Sequence, residues 1–241
     1  VSGAFQPWAA QGGSSVRLNS GSYVDAKGWN LNVGFARTNE MKDAKLTYGP
    51  FVEYGRGTYD SYVNAAHGDG SVRYIGAGAF LRQEQKDGIF YEGSLRFGRS
   101  SMDYSTPLTS YDTDANYIGA HLGFGQRVTE QSGNERELYV RYFYTRQNGT
   151  DATLSTGDRY SFSAVDSHIL RTGARWMHPQ KGGSLIVGAS VQYEFGGDAR
   201  ATYQGDSTPS PSLRGGSGLL ELGYRFAPKA DSRVSYDLNL N

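Results

Sequence analysis

Four histidines and one acidic neighbour are the residues of this sequence that come closest to catalytic or metal-binding chemistry. The histidines lie at positions 67, 121, 168 and 178, and they have no H-x-x-x-H or related metal-ligand spacing. His67 and Asp69 could form an acid/base pair, but glycine and aspartate beside a histidine are also ordinary turn residues. We favour the turn, and we predict no catalytic residue, no metal ion, no cofactor and no enzyme activity.

Charged residues also stand within segments that are otherwise apolar. Arg141, for example, lies between Val140 and Tyr142. Burial of an unpaired charge is costly, so such a position needs either water or a partner of opposite charge. Nine charged residues have this placement: Glu53, Glu92, Arg96, Arg141, Arg171, Arg175, Glu194, Glu221 and Arg225.

The segments that contain these charges alternate between apolar and polar residues. Residues 29–37, 137–146 and 184–195 are clear examples. A period of two is the spacing of a β-strand, whose successive side chains point to opposite faces. Each strand therefore has one apolar face and one polar face, and the nine charges fall on the polar faces.

Two all-β architectures produce this pattern. A soluble sandwich turns its apolar faces inward and has strands of about five or six residues. A membrane barrel turns its apolar faces outward to lipid, on strands of about 9 to 11 residues. The alternating runs here are long, and short and long connections follow one another, as periplasmic turns and extracellular loops do in outer-membrane barrels. We therefore predict a transmembrane antiparallel up-and-down β-barrel, with the sandwich as the competing fold.

Composition excludes several other classes of protein. Only 37% of the 241 residues are hydrophobic, and no run approaches the roughly 18 to 20 apolar residues of a membrane-spanning helix. The formal net charge is zero, which removes the electrostatic reason to expect a nucleic acid as a partner. The sequence has no cysteine, so neither a disulfide nor a thiolate metal site can form.

The barrel prediction assigns the two faces of each strand. The nine charged residues should line the lumen, where arginines and glutamates can pair. His121 should also lie in the lumen, and His178 should lie in a turn. Seven side chains are predicted to face the lipid: Leu138, Val140, Tyr142, Val187, Val191, Leu220 and Leu222.

The number of strands is predicted to be odd. We count about eleven alternating segments, whereas single-chain bacterial barrels have an even number. The last segment, residues 233–241, follows a short turn and should run outward. We therefore expect that a twelfth strand, which would close the barrel, is missing from this chain.

Several segments together resemble the C-terminal β-domain of bacterial autotransporters, which belong to type Va secretion. They include "GWNLNVGFAR", "YGPFVEYGRGTYDSY", "LYVRYFYTRQNG", "VDSHILRTGARW" and "PSLRGGSGLLELGYR". The resemblance extends over the whole chain, residues 1–241, as one domain. It implies a twelve-stranded barrel in the bacterial outer membrane, whose last strand ends in an aromatic residue that the barrel assembly machinery recognises.

The function that this resemblance implies is translocation. The barrel would anchor an N-terminal passenger in the outer membrane and help to export it, and a linker helix, absent from this chain, would thread the lumen. Outer-membrane lipid, the passenger with its linker, and the barrel assembly machinery are the expected partners. A diffusion porin, or an outer-membrane barrel enzyme that acts through its extracellular loops, is the alternative.

The resemblance also suggests a role for the lumen acids. Some family members cleave the linker with acidic residues of the barrel, and four glutamates are candidates by their facing: Glu53, Glu92, Glu194 and Glu221. The alternative is that they are counter-ions of the lumen arginines, because clustered charges perturb one another without any catalysis.

Overall fold

The regular structure of this protein is entirely β-strand in the part of the chain that the computed structural model describes. That part comprises residues 3–19, 23–63, 66–181, 183–198, 200–207, 214–226 and 236–240. Its strands are β1 (Gln6–Asn19), β2 (Tyr23–Glu40), β3 (Ala44–Val63), β4 (Ala66–Gln85), β5 (Ile89–Ser105), β6 (Ser110–Thr129), β7 (Glu135–Gln147), β8 (Thr150–Thr153), β9 (Arg159–Phe162), β10 (Val165–Gln180), β11 (Gly183–Glu194), β12 (Ala201–Tyr203), β13 (Asp206–Ser207), β14 (Gly215–Phe226) and β15 (Tyr236–Leu240). These ranges contain no helix with the length and apolar character that a membrane span requires.

Eleven of the described strands form one closed sheet. Their order around the barrel is β1-β15-β14-β11-β10-β7-β6-β5-β4-β3-β2. Neighbours are antiparallel at every position except one, where β1 and β15 run parallel. A ring with an odd number of up-and-down strands must contain one such parallel pair. The prediction of an all-β antiparallel barrel is confirmed, and the twelfth strand stays a prediction.

The strands are longer than the sequence pattern predicts. β3, β4 and β6 have 20 residues each. At about 3.3 Å per residue such a strand is roughly 66 Å long, whereas the apolar band of a membrane barrel is only about 25 Å tall. Even with the usual tilt, these strands extend well beyond the apolar band.

The connections explain this difference. The turns at residues 41–43, 86–88 and 130–134 are short, as predicted. Two connections that the sequence suggests are long loops, residues 62–71 and 105–116, are instead hairpin ends, in which Val63 pairs with Ala66 and Ser105 pairs with Ser110. Near these hairpin ends both faces of the strands are polar or mixed, so the apolar–polar alternation that indicates a strand in the sequence is lost. The interpretation of these two segments as long loops was wrong.

The other two long connections form a second, smaller sheet. Its order is β13-β12-β9-β8, and it combines the β7–β10 connection with the β11–β14 connection. The rings of Tyr160 and Tyr203 stack with their centroids 4.8 Å apart, and the Tyr203 hydroxyl donates to Asp158 at 2.7 Å. Thr113 on β6 donates to Thr150 on β8 at 3.1 Å, which ties this sheet to the barrel wall.

The two faces of the barrel wall differ in exposure. The seven side chains predicted to face lipid are between 38% and 77% exposed. On the opposite face, Phe90, Glu137 and Ile186 are less than 2% exposed. Contact of the exposed face with lipid stays a prediction, which the following substitution tests.

A lysine at position 187 is expected to prevent insertion of the barrel into a bilayer. Val187 lies on the exposed face at 42% exposure, and lysine at the middle of the membrane costs roughly 2 to 4 kcal/mol. Insertion can be measured as the heat-modifiable fraction on a gel after folding into vesicles. Ser190→Lys, on the opposite face of the same strand, is the control and should insert normally. Equal losses in the two variants would contradict the facing.

Candidate functional site on the inner face

Side chains from neighbouring strands meet on one face of the wall, and their contacts identify it as the inner face. Arg82 on β4 donates to Glu137 on β7 at 2.9 Å, although β5 and β6 lie between these strands. In a flat sheet, strands three positions apart are roughly 14 Å apart. Only the concave side of a curved sheet brings such side chains within hydrogen-bonding distance.

Glu137 is the most enclosed charged group on this face. Its side chain is 1% exposed, and it accepts hydrogen bonds from Arg82 at 2.9 Å, Arg127 at 3.2 Å and Arg141 at 3.3 Å. Burial of a carboxylate costs several kcal/mol unless opposite charges and hydrogen bonds compensate. Three guanidinium groups provide that compensation here.

Glu92 lies beside Glu137 and shares two of its partners. Arg141 Nε donates to Glu92 at 2.5 Å, Arg82 donates to it at 3.1 Å, and His121 Nε2 lies 3.1 Å from it. Because Arg82 and Arg141 each contact both glutamates, these side chains form one network. We call this network the Glu92–Glu137 cluster, and it consists of Arg82, Glu92, His121, Arg127, Glu137 and Arg141.

Aromatic rings support the arginines of the cluster. The Arg82 guanidinium lies 3.7 Å from the centroid of the Phe90 ring, and that of Arg141 lies 4.0 Å from the Tyr139 ring. Phe90 is fully buried and packs over Gly125, where a Cβ atom would be only 2.5 Å from Phe90 Cζ. A glycine at position 125 therefore makes room for the ring that orients Arg82 by a cation–π contact.

Glu53 is held by a separate set of partners. It is 4% exposed, accepts a hydrogen bond from the Tyr117 hydroxyl at 2.6 Å, and lies 3.4 Å from Arg96. Its two partners come from β6 and β5, so this contact also spans several strands. A neutral donor and a cation thus share the stabilisation of this carboxylate.

The predicted lumen charges of β10 and β14 are also engaged. Arg175 and Glu221 form a bidentate pair with distances of 3.0 and 2.9 Å. Arg171 donates to Gln192 at 2.9 Å and lies 5.0 Å from the Phe143 ring. The side chain of Arg225 lies outside the part of the chain that the structure describes.

Glu194 has an arrangement that the sequence does not indicate. It accepts hydrogen bonds from the Ser167 hydroxyl and from two backbone amides, His168 N at 2.7 Å and Gly196 N at 2.8 Å. None of these three donors is an arginine. The carboxylate joins the end of β11 to the start of β10, so the contacts it makes are those of a strand-end cap.

Sequence reasoning missed half of the Glu92–Glu137 cluster. Arg82, Arg127 and Glu137 were not among the nine predicted charges, although Glu137 lies four residues before Arg141 and therefore on the same face of β7. Parity along the strand could have identified Glu137. The pairing of Arg82 with a residue 55 positions away has no sequence signal at all.

Two of the histidines each contact one carboxylate in the described residues. His67 Nε2 lies 3.4 Å from Asp60, rather than pairing with Asp69, and its ring stacks on Tyr62. His121 binds Glu92 and lies 3.2 Å from Ser94 on the inner face. The described ranges contain no group of three or more histidine, cysteine, aspartate or glutamate residues that could hold a metal ion.

A cavity of about 300 Å³ lies beside Glu53 and Arg96. Three aromatic rings form one side of it, with the Trp8 and Phe80 centroids 5.6 Å apart and Phe51 next to both. The Trp8 indole nitrogen is buried without a hydrogen-bond partner in the structure. Six of the lining residues are Trp8, Asn30, Asn32, Phe51, Glu53 and Phe80. The space is therefore lined by both apolar and polar groups.

An up-and-down barrel with an apolar, exposed outer face and a charged, internally paired inner face defines the class of membrane-barrel proteins. Within that class, residues 7–240 match the family model of the autotransporter β-domain. The chain belongs to this family, whose members are translocators of passenger domains and form outer-membrane barrels.

Solved structures show the same fold at low sequence identity. The β-domain of the Bordetella autotransporter BrkA is 17% identical with a TM-score of 0.65, over 98% of this chain and 96% of that one. The translocator domain of NalP from Neisseria meningitidis is 15% identical with a TM-score of 0.66, over 94% and 76%. The transport unit of AIDA-I from Escherichia coli is 10% identical with a TM-score of 0.63, over 94% and 79%. A search of curated proteins found no match.

Removal of the charge at the centre of the cluster is expected to destabilise the barrel. Glu137→Gln leaves three arginines with one carboxylate fewer, and loss of one partner of a buried ion pair costs roughly 3 to 5 kcal/mol. The free energy of unfolding can be measured by denaturant titration of the purified barrel.

The control for this experiment is Glu130→Gln in the β6–β7 turn. Glu130 pairs with Arg136 at 2.9 Å, but that arginine is 62% exposed, so the loss should stay below about 1 kcal/mol. If the two variants lose the same stability, the cluster does not hold the wall together.

Proposed function

We propose that this domain anchors an N-terminal passenger in the outer membrane, with the segment before β1 passing through the lumen. The direction of β1 is the observation that carries this proposal. Gln6, the first residue of β1, pairs with Ala36 near the short β2–β3 turn. In outer-membrane barrels the short turns are periplasmic, so a chain displayed outside reaches this end of β1 by crossing the lumen.

The inner face is suited to such a passage. Charges that are paired with one another keep the wall polar and hydrated without exposing isolated charges to the passing chain. The cavity beside Glu53 offers Trp8, Phe51 and Phe80 to apolar side chains, and Asn30 and Asn32 to backbone groups. We propose that a linker helix makes its contacts with the barrel at this place.

The same proposal covers the partners of the barrel wall and the role of its glutamates. The exposed apolar face contacts outer-membrane lipid, and the barrel assembly machinery inserts the domain. The domain catalyses no reaction. The lumen-facing glutamates other than Glu194 act as counter-ions rather than as a cleavage centre, which the number of their hydrogen-bond partners supports: Glu92 has three and Glu137 has three.

The alternative functions have less support. A diffusion porin would have the same outer face, but it would not carry a passenger domain upstream of β1. An enzyme that acts through its extracellular loops would need an activated group there. His67 contacts Asp60 and Tyr62, and both the histidine and Asp60 are 49% exposed, which is the environment of a solvated surface pair.

Surface labelling of an epitope upstream of Val1 tests the proposal. The epitope is inserted in cells that make the domain with its natural flanking sequences, and antibody is added to intact cells. We expect labelling, together with a heat-modifiable barrel in the outer-membrane fraction. An intact barrel with the epitope confined to the periplasm would contradict translocation and would favour a porin or a loop enzyme.

Single substitutions distinguish counter-ions from a cleavage centre. Glu92→Gln and Glu221→Gln are each expected to lower the unfolding temperature, because each removes the charge that binds an arginine. The ratio of cleaved to uncleaved passenger, measured by immunoblot, should stay at the wild-type value. Loss of cleavage in a variant that unfolds at the wild-type temperature would contradict the counter-ion role.

A further inference from the structure

Basic residues occupy one height on the outer face of the barrel. Each of the strands β2 to β5 has an apolar stretch on its outer face. Towards the hairpin end of the strand, the first polar outer-face residue after that stretch is a lysine or an arginine. The preceding outer-face residues are Trp29, Tyr54, Ile75 and Phe97. We call the following set the basic row: Lys27, Arg56, Arg73 and Arg99. All four members are exposed.

Two members of the row oppose one another. Arg56 on β3 and Arg73 on β4 are register partners on the same face. Side chains in such positions have Cβ atoms about 4.5 to 5.5 Å apart, and like charges there destabilise the sheet. Among the described residues, neither arginine forms an ion pair with a carboxylate. Asp114 on β6 instead binds Arg99 at 2.9 Å and Ser101 at 2.5 Å.

The basic row lies between an apolar surface on one side and acidic residues on the other. Immediately below it the outer face is apolar and exposed, with Ile75 at 63% and Phe97 at 66%. Above it the same strands carry acidic residues, and Asp60 and Asp69 are register partners. An anion that binds the row therefore meets apolar surface on one side and like charge on the other.

The opposite end of these strands has no equivalent. On β3, β4 and β5 the outer-face residues nearest the short turns are neutral, namely Ala44, Gln85 and Ile89, and β2 has a single cation there, Arg37. The row of four cations thus belongs to the end with the hairpins, and four aspartates lie beyond it on the same strands: Asp25, Asp60, Asp69 and Asp103. That end faces the outer leaflet if the barrel has the orientation proposed above.

We propose that the basic row binds the phosphate headgroup of a lipid in the outer leaflet, with Arg56 and Arg73 holding the phosphate between them. Guanidinium groups bind phosphate oxygens with paired, charge-assisted hydrogen bonds, and an anion between two arginines offsets their repulsion. The apolar surface below the row accommodates the acyl chains of the same molecule, which is why a lipid fits better than a free phosphate ion. This inference rests on the proposed location in the outer membrane.

Lipid binding by the purified full-length protein in neutral detergent tests the proposal. Phosphatidic acid and diacylglycerol, which share their acyl chains and differ in the phosphate, are added in turn, and bound lipid is counted by native mass spectrometry. The wild-type protein should prefer phosphatidic acid by roughly tenfold, since each basic residue near an anionic lipid surface contributes severalfold in affinity. The double variant R56Q/R73Q should lose this preference.

A charge-matched variant serves as the control. R159Q/R200Q removes two exposed arginines from the region of the smaller sheet and should keep the wild-type preference. Both double variants should remain heat-modifiable, which shows that the barrel is folded. Equal preferences in the wild type and R56Q/R73Q, or equal losses in the two double variants, would overturn the proposal.

Two further readouts separate the remaining possibilities. Inorganic phosphate added alone should not displace phosphatidic acid, and displacement would overturn the lipid in favour of a free-anion site. Because binding is measured in detergent, it does not depend on export of a passenger. A failure of surface labelling with intact lipid preference would therefore count against translocation only.

Discussion

Inside a bilayer, every backbone amide and carbonyl group must find its hydrogen-bond partner within the protein, and the rest of this structure depends on that constraint. A closed ring of strands meets it, because each strand of the ring has a neighbour on both sides. In a closed ring, successive side chains along each strand point alternately to the outside and to the interior. The apolar residues at the surface and the charges in the interior are both consequences of one alternation, which would be reversed in a soluble sandwich.

The interior of the ring is too wide for apolar side chains to fill, and it is too enclosed for charged side chains without partners. Long side chains that pair across the ring solve it. Arg82 and Arg141 both contact Glu92 and Glu137, and Phe90 and Tyr139 support their guanidinium planes. Contacts between β4 and β7 also fix the curvature of the wall between them, so the network is a structural part of the barrel and not a lining added to it.

Much of this fold could be predicted from the sequence, because alternation is a local property. The facing of Arg141 against Val140, and the number of strands in the ring, both follow from it. Pairing partners could not be predicted: Arg82 and Glu137 are 55 residues apart and meet only because the sheet curves. The hairpin ends of β3 to β6 were also missed, since their outer faces carry Arg56, Asp60 and other polar residues. Beyond the lipid, a strand has no need of an apolar face.

The mutual pairing of the interior charges has a consequence for the cargo. A channel lined with charges of one sign attracts some polypeptides and repels others, so its transport depends on the composition of what it carries. In the described part of the wall Glu53, Glu92, Glu137 and Glu221 each pair with an arginine, so a segment of either sign would meet little net force beside them. If the passenger passes through the lumen as proposed, such a conduit does not select it by charge. Exported domains of very different isoelectric point can then evolve in front of the same barrel without any change in its interior.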